Sequence, residues 1–393
     1  MMPDESYILP GRTVGRASGG IPATGLTAAG GGSGTAPRRR PTAARRRRER
    51  GGIVTELPEV GNNPADGVLP GGIPEDDYDE FGLLHENAEE LGIPWKGQPE
   101  VTRGHTELEP GRRLSHIRWG TSEPEIVFLH GGGQNAHTWD SVALELGRPA
   151  VAFDLPGHGR SSWRADGDYG PWANAAAIEV GLRAVAPNAG LVVGMSLGGA
   201  TAIHLAATRP ELCRRALLVD VTPESAARVA AMDAAQRGAV ALVGGPPTFA
   251  SFEEMAQAAI RLSPRRPAAG VRRGVRHNAY QRADGRWAWR YDLGRPGSQA
   301  QEQAQERGQG REQAERSDQL TGMARLWDEV AAITVPLLLV RGGDSPFVHD
   351  DDVEQFRRRL PALRTAVVAG AGHSVQSDRP RELVRLIQEF WPG

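Results

Sequence analysis

From residue 101 onward, short apolar runs alternate with amphipathic segments, and each run is bounded by Gly, Pro or Asp. The runs at 125–129, 150–154, 191–194, 216–220, 336–340 and 365–368 are apolar almost without interruption. That is the pattern of strands covered on both faces, as in a mostly parallel sheet. Two earlier segments, 104–109 and 113–119, flank the turn sequence Glu109-Pro110-Gly111-Arg112 and should pair antiparallel. The strand, helix, strand rhythm predicts an α/β fold. It is lost from Thr222 to about Leu326, a stretch too long for a plain loop. Apolar patterning at 226–243 and 252–262 makes that stretch a helical insertion above the sheet. A Gln, Glu, Arg and Gly tract at 299–319 interrupts it and is expected to be exposed or disordered.

Residues 1–100 follow another regime. They are rich in Gly and Pro with almost no apolar periodicity, so they bury too little surface to offset the entropy of ordering and are expected to be mostly disordered. Within them, 38–50 holds eight Arg and one Glu with no interleaved aromatics, the composition of a solvated tail, with a nucleic-acid-contacting arm as the alternative. A helix-like stretch at 81–95 (Leu83, Leu84, Leu91) ends at Pro94 and is a candidate to dock on the domain that follows. The expected organisation is an extension at 1–100, an α/β core at 101–221 and 327–393, and a helical cap at 222–326.

Composition adds exclusions. With 393 residues, 24% charged and a net charge of -2, the chain has no global affinity for nucleic acid or anionic membrane. No apolar run reaches the roughly 18 residues of a transmembrane helix, and the N-terminus lacks the basic start and apolar stretch of a secretory signal, so a cytoplasmic location is expected. Cys213 is the single cysteine, which rules out an internal disulfide or a cysteine metal cluster. The expected partner is a small-molecule substrate, with no metal or organic cofactor; the sequence leaves oligomeric state open.

Gly194-Met195-Ser196-Leu197-Gly198 has the form GxSxG. In a chain with 50 glycines that spacing is weak by itself, and its context gives it weight. An apolar strand pattern precedes it and a helical pattern (Ala200, Ile203, Leu205, Ala206) follows, placing Ser196 in a sharp strand-to-helix turn. There the backbone amides and dipole of a helix N-terminus favour developing negative charge. Gly194, Gly198 and Gly199 supply the small neighbours such a turn needs. The plainer alternative is a helix-capping serine.

His130-Gly131-Gly132-Gly133 follows the strand ending at Leu129, and its glycines would let a backbone N–H approach a substrate oxygen. The amides of Gly132 and Leu197 are the oxyanion-hole candidates; a phosphate-binding loop is the competing reading and lacks the required spacing. A serine nucleophile needs a base. Among ten histidines, His373 lies in Gly370-Ala371-Gly372-His373-Ser374, between the last strand and the C-terminal helix, on the same rim as Ser196. His130, His137, His158, His204 and His277 are read as structural. For the carboxylate, Asp344 after the strand at 336–340 is preferred and Asp220 is the rival, with Asp350, Asp351 and Asp352 behind them.

The segments HGGG at 130–133, DLPGHGRS at 154–161, GMSLGG at 194–199 and GAGHS at 370–374, in that order, make the chain from about 101 to its end resemble the α/β-hydrolase superfamily. The stretch 130–223 is similar to actinobacterial members described as hydrolases, which makes the chain look like a serine hydrolase of esterase type. The resemblance implies the α/β-hydrolase fold: a mostly parallel eight-stranded sheet, helices on both faces, and a helical cap inserted after strand 6. It also implies the chain order Ser, Asp, His. The chemistry implied is two-step acyl transfer on the carboxylic ester of a small or medium apolar substrate. A carbon-carbon bond hydrolase or a lyase of menaquinone-pathway type is the runner-up, and a non-catalytic ligand-binding protein comes third. One departure touches the acid: relatives often read GxxD after the penultimate strand, and that spacing from Gly342 lands on Ser345, one residue past Asp344. In the cap, Trp287, Trp289 and Tyr291, with Arg286 and Arg290 beside them, form either a pocket wall or one strand edge packing the cap onto the core.

Overall fold

A computed structural model describes residues 78–232, 236, 243–282, 284–292 and 325–393. The Arg-rich block at 38–50 and the tract at 299–319 lie outside the described residues. In chain order the strands are β1 (Val101–Glu109), β2 (Arg112–Trp119), β3 (Ile126–Leu129), β4 (Ala150–Phe153), β5 (Leu191–Met195), β6 (Ala216–Val219), β7 (Ala279–Gln281), β8 (Trp287–Trp289), β9 (Leu337–Gly342) and β10 (Arg364–Val368). Eight of them form one sheet in the order β1-β2-β4-β3-β5-β6-β9-β10, while β7 and β8 pair separately. Only β2 runs against its neighbours; every other pairing in the large sheet is parallel.

The central strands β3, β4, β5 and β6 are buried at every position, as their unbroken apolar runs require. Alternate residues feed two cores. Val127, Leu129, Val151, Phe153 and Val192 pack with Ile178 and Leu182 of one helix (Pro171–Val185) and Ala200 and Ile203 of another (Leu197–Thr208). Ile126, Phe128, Ala152 and Val193 pack on the opposite face with Val142 of the helix Asp140–Leu146 and Leu383 and Ile387 of the helix Pro380–Phe390. Each such aliphatic side chain contributes roughly 1.5–3 kcal/mol relative to exposure, and this burial holds the strand ends that carry the site in register.

Of the extension expected to be mostly disordered, residues 78–100 are described, and the helix-like stretch at 81–95 is a helix packed on the domain. Residues 78–100 belong with the folded unit: a helix at Leu84–Leu91 buries Leu84, Ala88 and Leu91 on one face and stops at Gly92 in the left-handed conformation. The spacing i, i+4, i+7 is one helical stripe, long enough to seat against the second core through Leu84.

Between β6 and β9 the described residues form the helices Pro223–Ala231, Phe252–Leu262 and Ala268–Asn278 and the β7/β8 pair. Thr222 and Ser225 make a reciprocal capping box at the start of the first, whose helix is described as far as Ala231 of the expected 226–243. This region has its own small core, with Phe249, Met255, Ala259, Val275 and Trp289 at its centre. No helix among the described residues is long and apolar enough to cross a membrane.

Candidate active site

The winding of the sheet reverses between β3 and β5, so their carboxyl ends flank the crevice where open α/β sheets place ligands. Ser196 follows β5 with φ 50° and ψ -115°. Among the described residues the non-glycine positions at positive φ are Ser196 and Asp220, both at this rim. Such a conformation costs on the order of 1–3 kcal/mol and persists because the surroundings impose it. A side-chain carbon at Gly194 would overlap the Gly198 carbonyl, and one at Gly198 would overlap Leu129 O. The turn therefore closes only with glycine at both places. Ser196 makes no side-chain capping bond to its helix, which removes the capping-serine alternative and leaves its hydroxyl half-buried at the rim. Leu197, first in the helix, has an amide that no carbonyl of that helix can take.

The glycine loop after β3 lies against this turn. A Cβ on Gly131 would stand 3.4 Å from Ser196 Cβ, and Gly198 N–H donates to His130 O at 3.0 Å. Two buried histidines hold the loop. His130 Nε2 accepts from Leu155 N–H at 2.9 Å, so its Nδ1 carries the hydrogen and donates to Gly131 O at 2.7 Å. His158 Nε2 accepts from Gly133 N–H at 3.0 Å, and its Nδ1 donates to Pro156 O at 3.0 Å. Both rings must be neutral to accept. Burial lowers the pKa of His130; burial and then the neighbouring His130 take His158 down to about 3. Asp154 of the DLPGHGRS segment is a further hub, fully buried and accepting from Ala136 N, Arg160 N and Arg103 Nη1 at 2.8, 3.0 and 2.7 Å. Burial alone would raise its pKa, but Arg103 and the hydrogen bonds from Ala136 N–H and Arg160 N–H outweigh it and bring it to about 2.

His373 Nδ1 lies 2.7 Å from Asp220 Oδ2. Asp220 is completely buried and also accepts from Gly342 N–H at 3.0 Å and the Ser345 hydroxyl at 2.5 Å. Asp344, preferred over Asp220 in the sequence, is not the partner of His373. Its backbone N–H bonds Ala371 O, but its carboxylate points to Arg265 at 3.1 Å and is 49% exposed. Asp350 pairs with Arg341 and Asp352 with Arg228, both at the helix Asp350–Arg359, away from His373. The position that breaks the GxxD spacing, Ser345, holds a hydroxyl that donates to Asp220. A second carboxylate there would face the first at hydrogen-bonding distance and repel it.

The cap meets the rim through polar contacts. Asn278 Nδ2 donates to Gly133 O at 2.7 Å, and Asn135 Nδ2 donates to His277 O and Asn278 Oδ1 at 3.1 and 3.2 Å. A cleft of about 490 Å³ opens beside the site, between cap residues such as Val271, Val275 and Trp289 and the loops carrying Gln134 and Gln376. Ser196 and His373 do not line it. Among the cap aromatics, Trp289 is buried edge-on against Phe249 and also lines the cleft, Trp287 packs on Phe252, and Tyr291 stacks with His158.

His137, Asp140 and His277 bring three donor atoms within 4.8 Å of one another. They do not fit a metal ion. Asp140 already accepts from His137 Nδ1 at 2.8 Å, Tyr78 bonds His277 Nδ1, and the two rings stack at 3.8 Å with 13° between planes. An ion about 2.0–2.1 Å from a nitrogen of each ring cannot lie near both ring planes when those planes are stacked. The group reads as a buried proton-sharing cluster. Asp140 outweighs burial and raises the pKa of His137, whereas burial and His137 push His277 well below the ordinary histidine range.

Sequence reasoning missed Asn278, Ser345, Tyr78 and Glu80. Ser345 was signalled by the broken GxxD spacing. Tyr78 and Glu80 sit in an acidic stretch with two aromatics (Tyr78-Asp79-Glu80-Phe81) that stands out from the Gly/Pro background, and Glu80 pairs with Arg103, His137 and Arg160. Asn278 carries no local signal.

Comparison with known proteins identifies the family and relatives of this chain. The model of the alpha/beta hydrolase family matches residues 126–386. The esterase Rv0045c of Mycobacterium tuberculosis is 46% identical over 311 residues, covering 79% of this chain and 95% of that protein. A solved structure of that esterase superposes with a TM-score of 0.67 at 44% identity, covering 81% of this chain and all of the other. A pimeloyl-[acyl-carrier protein] methyl ester esterase of Aeromonas salmonicida is 29% identical, covering 68% of this chain and 95% of that protein.

Proposed function

The chain belongs to the alpha/beta hydrolase family, and on that premise we propose that it is a serine hydrolase that cleaves carboxylic esters through an acyl-enzyme. Ser196 is the nucleophile, His373 the base and Asp220 the acid that orients it; the amides of Gly132 and Leu197 form the oxyanion hole. Two observations carry this reading: a serine held at φ 50° directly after β5, and directly after β6 a buried carboxylate bonded to His373 at 2.7 Å.

With Nδ1 of His373 committed to Asp220, Nε2 is the nitrogen left to exchange a proton. It takes the proton of Ser196 Oγ as that oxygen bonds to the ester carbonyl carbon. The carbonyl electron pair moves onto oxygen, where the two amides stabilise it. When the pair returns, the C–O bond to the alcohol breaks and the protonated His373 gives its hydrogen to the leaving oxygen. Water, deprotonated by His373, then attacks the acyl-serine; as the bond to Ser196 Oγ breaks, His373 returns the proton to that oxygen and the carboxylic acid leaves. The small or medium apolar portion expected from the sequence is left to the chain-length series below, because the neighbouring cleft is lined by Arg265, Arg266, Arg273 and Arg379 as well as by Val271, Val275 and Trp289 and does not include Ser196 or His373.

The test is fluorophosphonate labelling read by intact mass, beside turnover of p-nitrophenyl esters from acetyl to dodecanoyl chains. One adduct on the native protein and none on Ser196→Ala, with turnover falling at least about a thousandfold in that variant, is the expected result. Undiminished ester turnover by Ser196→Ala would remove the serine from the mechanism.

A further inference from the structure

We propose that Asn278 of the cap is a positioning residue for the oxyanion hole, holding the glycine loop so that the Gly132 N–H is aimed at the reacting oxygen. The inference rests on the serine-hydrolase reading above, which supplies the role of Gly132.

Three successive glycines leave the loop at 131–133 without side chains to restrict its backbone, and Gly133 sits at φ 72°. Glycine populates several backbone wells at little cost, so peptide orientation there depends on hydrogen bonds. The structure provides one set for each peptide plane. The Gly131 carbonyl, in the same plane as the Gly132 N–H and pointing the opposite way, accepts from His130 Nδ1 at 2.7 Å and Gln134 N at 3.2 Å. Gly133 N–H, in the next plane, donates to His158 at 3.0 Å. The Gly133 carbonyl, in the third, receives Asn278 Nδ2 at 2.7 Å. The first two anchors come from the core; the third comes from the cap.

Asn278 is itself held firmly. It is the last residue of the helix Ala268–Asn278, its carbonyl accepts from Arg290 N–H at 2.8 Å beside the β7/β8 pair, and its Oδ1 accepts from Asn135. Asn278 is 7% exposed and Asn135 5%, so this clamp works away from bulk water, where an unmade bond to a carbonyl is costly. Cap and oxyanion loop are thereby one hydrogen-bonded unit. A cap that shifts relative to the core pulls on the Gly133 carbonyl and, through the freely rotating glycine peptides before it, strains the aim of the Gly132 amide against its core anchors.

The experiment compares native protein, Asn278→Ala and Asn278→Asp in p-nitrophenyl butyrate kinetics, trifluoromethyl ketone inhibition and thermal melting. Aspartate keeps the shape and, ionised, offers no hydrogen to the Gly133 carbonyl; it carries the test if the alanine variant does not fold. Loss of an oxyanion donor outright lowers kcat about 10²–10³-fold, and a misaimed donor should lower it about tenfold. We expect that fall in kcat with KM within about twofold, and inhibitor affinity weakened by the same factor as kcat/KM, because the ketone adduct places an oxyanion in the hole. A packing role alone would lower the melting temperature and leave the inhibitor-to-substrate ratio at the native value. Native kcat in both variants, or reduced kcat with native inhibitor affinity, overturns the proposal. Absence of Ser196-dependent turnover in the native protein would instead defeat the hydrolase reading.

Discussion

Asp220→Asn and Asp344→Asn, made side by side, discriminate between the two carboxylates that follow neighbouring strands. Asp220 accepts three hydrogens: from His373 Nδ1 at 2.7 Å, Ser345 Oγ at 2.5 Å and Gly342 N at 3.0 Å. Asparagine retains one acceptor oxygen. If that oxygen stays on Gly342, the amide hydrogens face His373, whose Nδ1 must then accept; the ring hydrogen moves to Nε2, which can no longer take the serine proton. A substitution of this kind in a Ser-His-Asp triad lowers kcat by about 10⁴, so we expect a loss of about 10³–10⁴, or roughly 4–5.5 kcal/mol of barrier. Asp344 forms one pair with Arg265 at 3.1 Å, with both side chains about half exposed, and such pairs contribute at most about 1 kcal/mol to stability. Its asparagine variant should keep activity within about twofold. The assay is kcat/KM on p-nitrophenyl butyrate, with circular dichroism and thermal melting to confirm folding. A loss in Asp344→Asn matching that in Asp220→Asn, or more than about a tenth of native activity in a folded Asp220→Asn, would refute the assignment.

Two further outcomes concern stability. His158, taken down to about 3 by burial and His130, stays neutral in the fold over most of the range from about pH 6.5 to 3, and the lowered values of His130 and His277 act in the same direction, while the unfolded chain protonates all three near pH 6.5. The unfolded state therefore binds more protons as pH falls from about 6.5 towards 3. His158 alone should remove about 2 kcal/mol between pH 7 and 5, partly offset by His137, whose raised value acts in the opposite direction. Urea midpoints measured at pH 7 and 5 check this, and an unchanged or higher midpoint at pH 5 would contradict it. Leu84, 1% exposed, should cost about 2–5 kcal/mol on replacement by alanine, read as a lower urea midpoint. A loss under about 0.5 kcal/mol would mean that the N-terminal helix opens independently of the core.

The strands were legible because a strand covered on both faces needs an apolar residue at nearly every position. β3, β4, β5 and β6 begin and end within one or two residues of their apolar runs. The turn at Ser196 was legible for a local reason too, since glycine crowding and the strand-to-helix switch are written within a few residues. The helix within 81–95 was legible from its leucines and Pro94, whereas the order of the residues around it was not, because so short a helix, with four buried positions, is stabilised by the surface it meets.

The sequence by itself determined the order of the elements, the serine turn, the glycine loop and the loop that carries His373. Each depends on backbone chemistry over short spans, where side-chain type dictates conformation. Tertiary structure alone decided which carboxylate meets His373 and which cap residue grips Gly133. Asp220 and Asp344 both follow strand ends on the same rim, β6 pairs with β9, and their chemistry is identical. Their difference is one of direction: Asp220, at φ 51°, turns inward to a histidine 153 residues away, while Asp344 turns outward to Arg265. The Asn278 bond to Gly133 spans 145 residues. Over such separations no periodicity or propensity survives, and only the packing of the sheet and cap sets which polar groups come within 3 Å of each other.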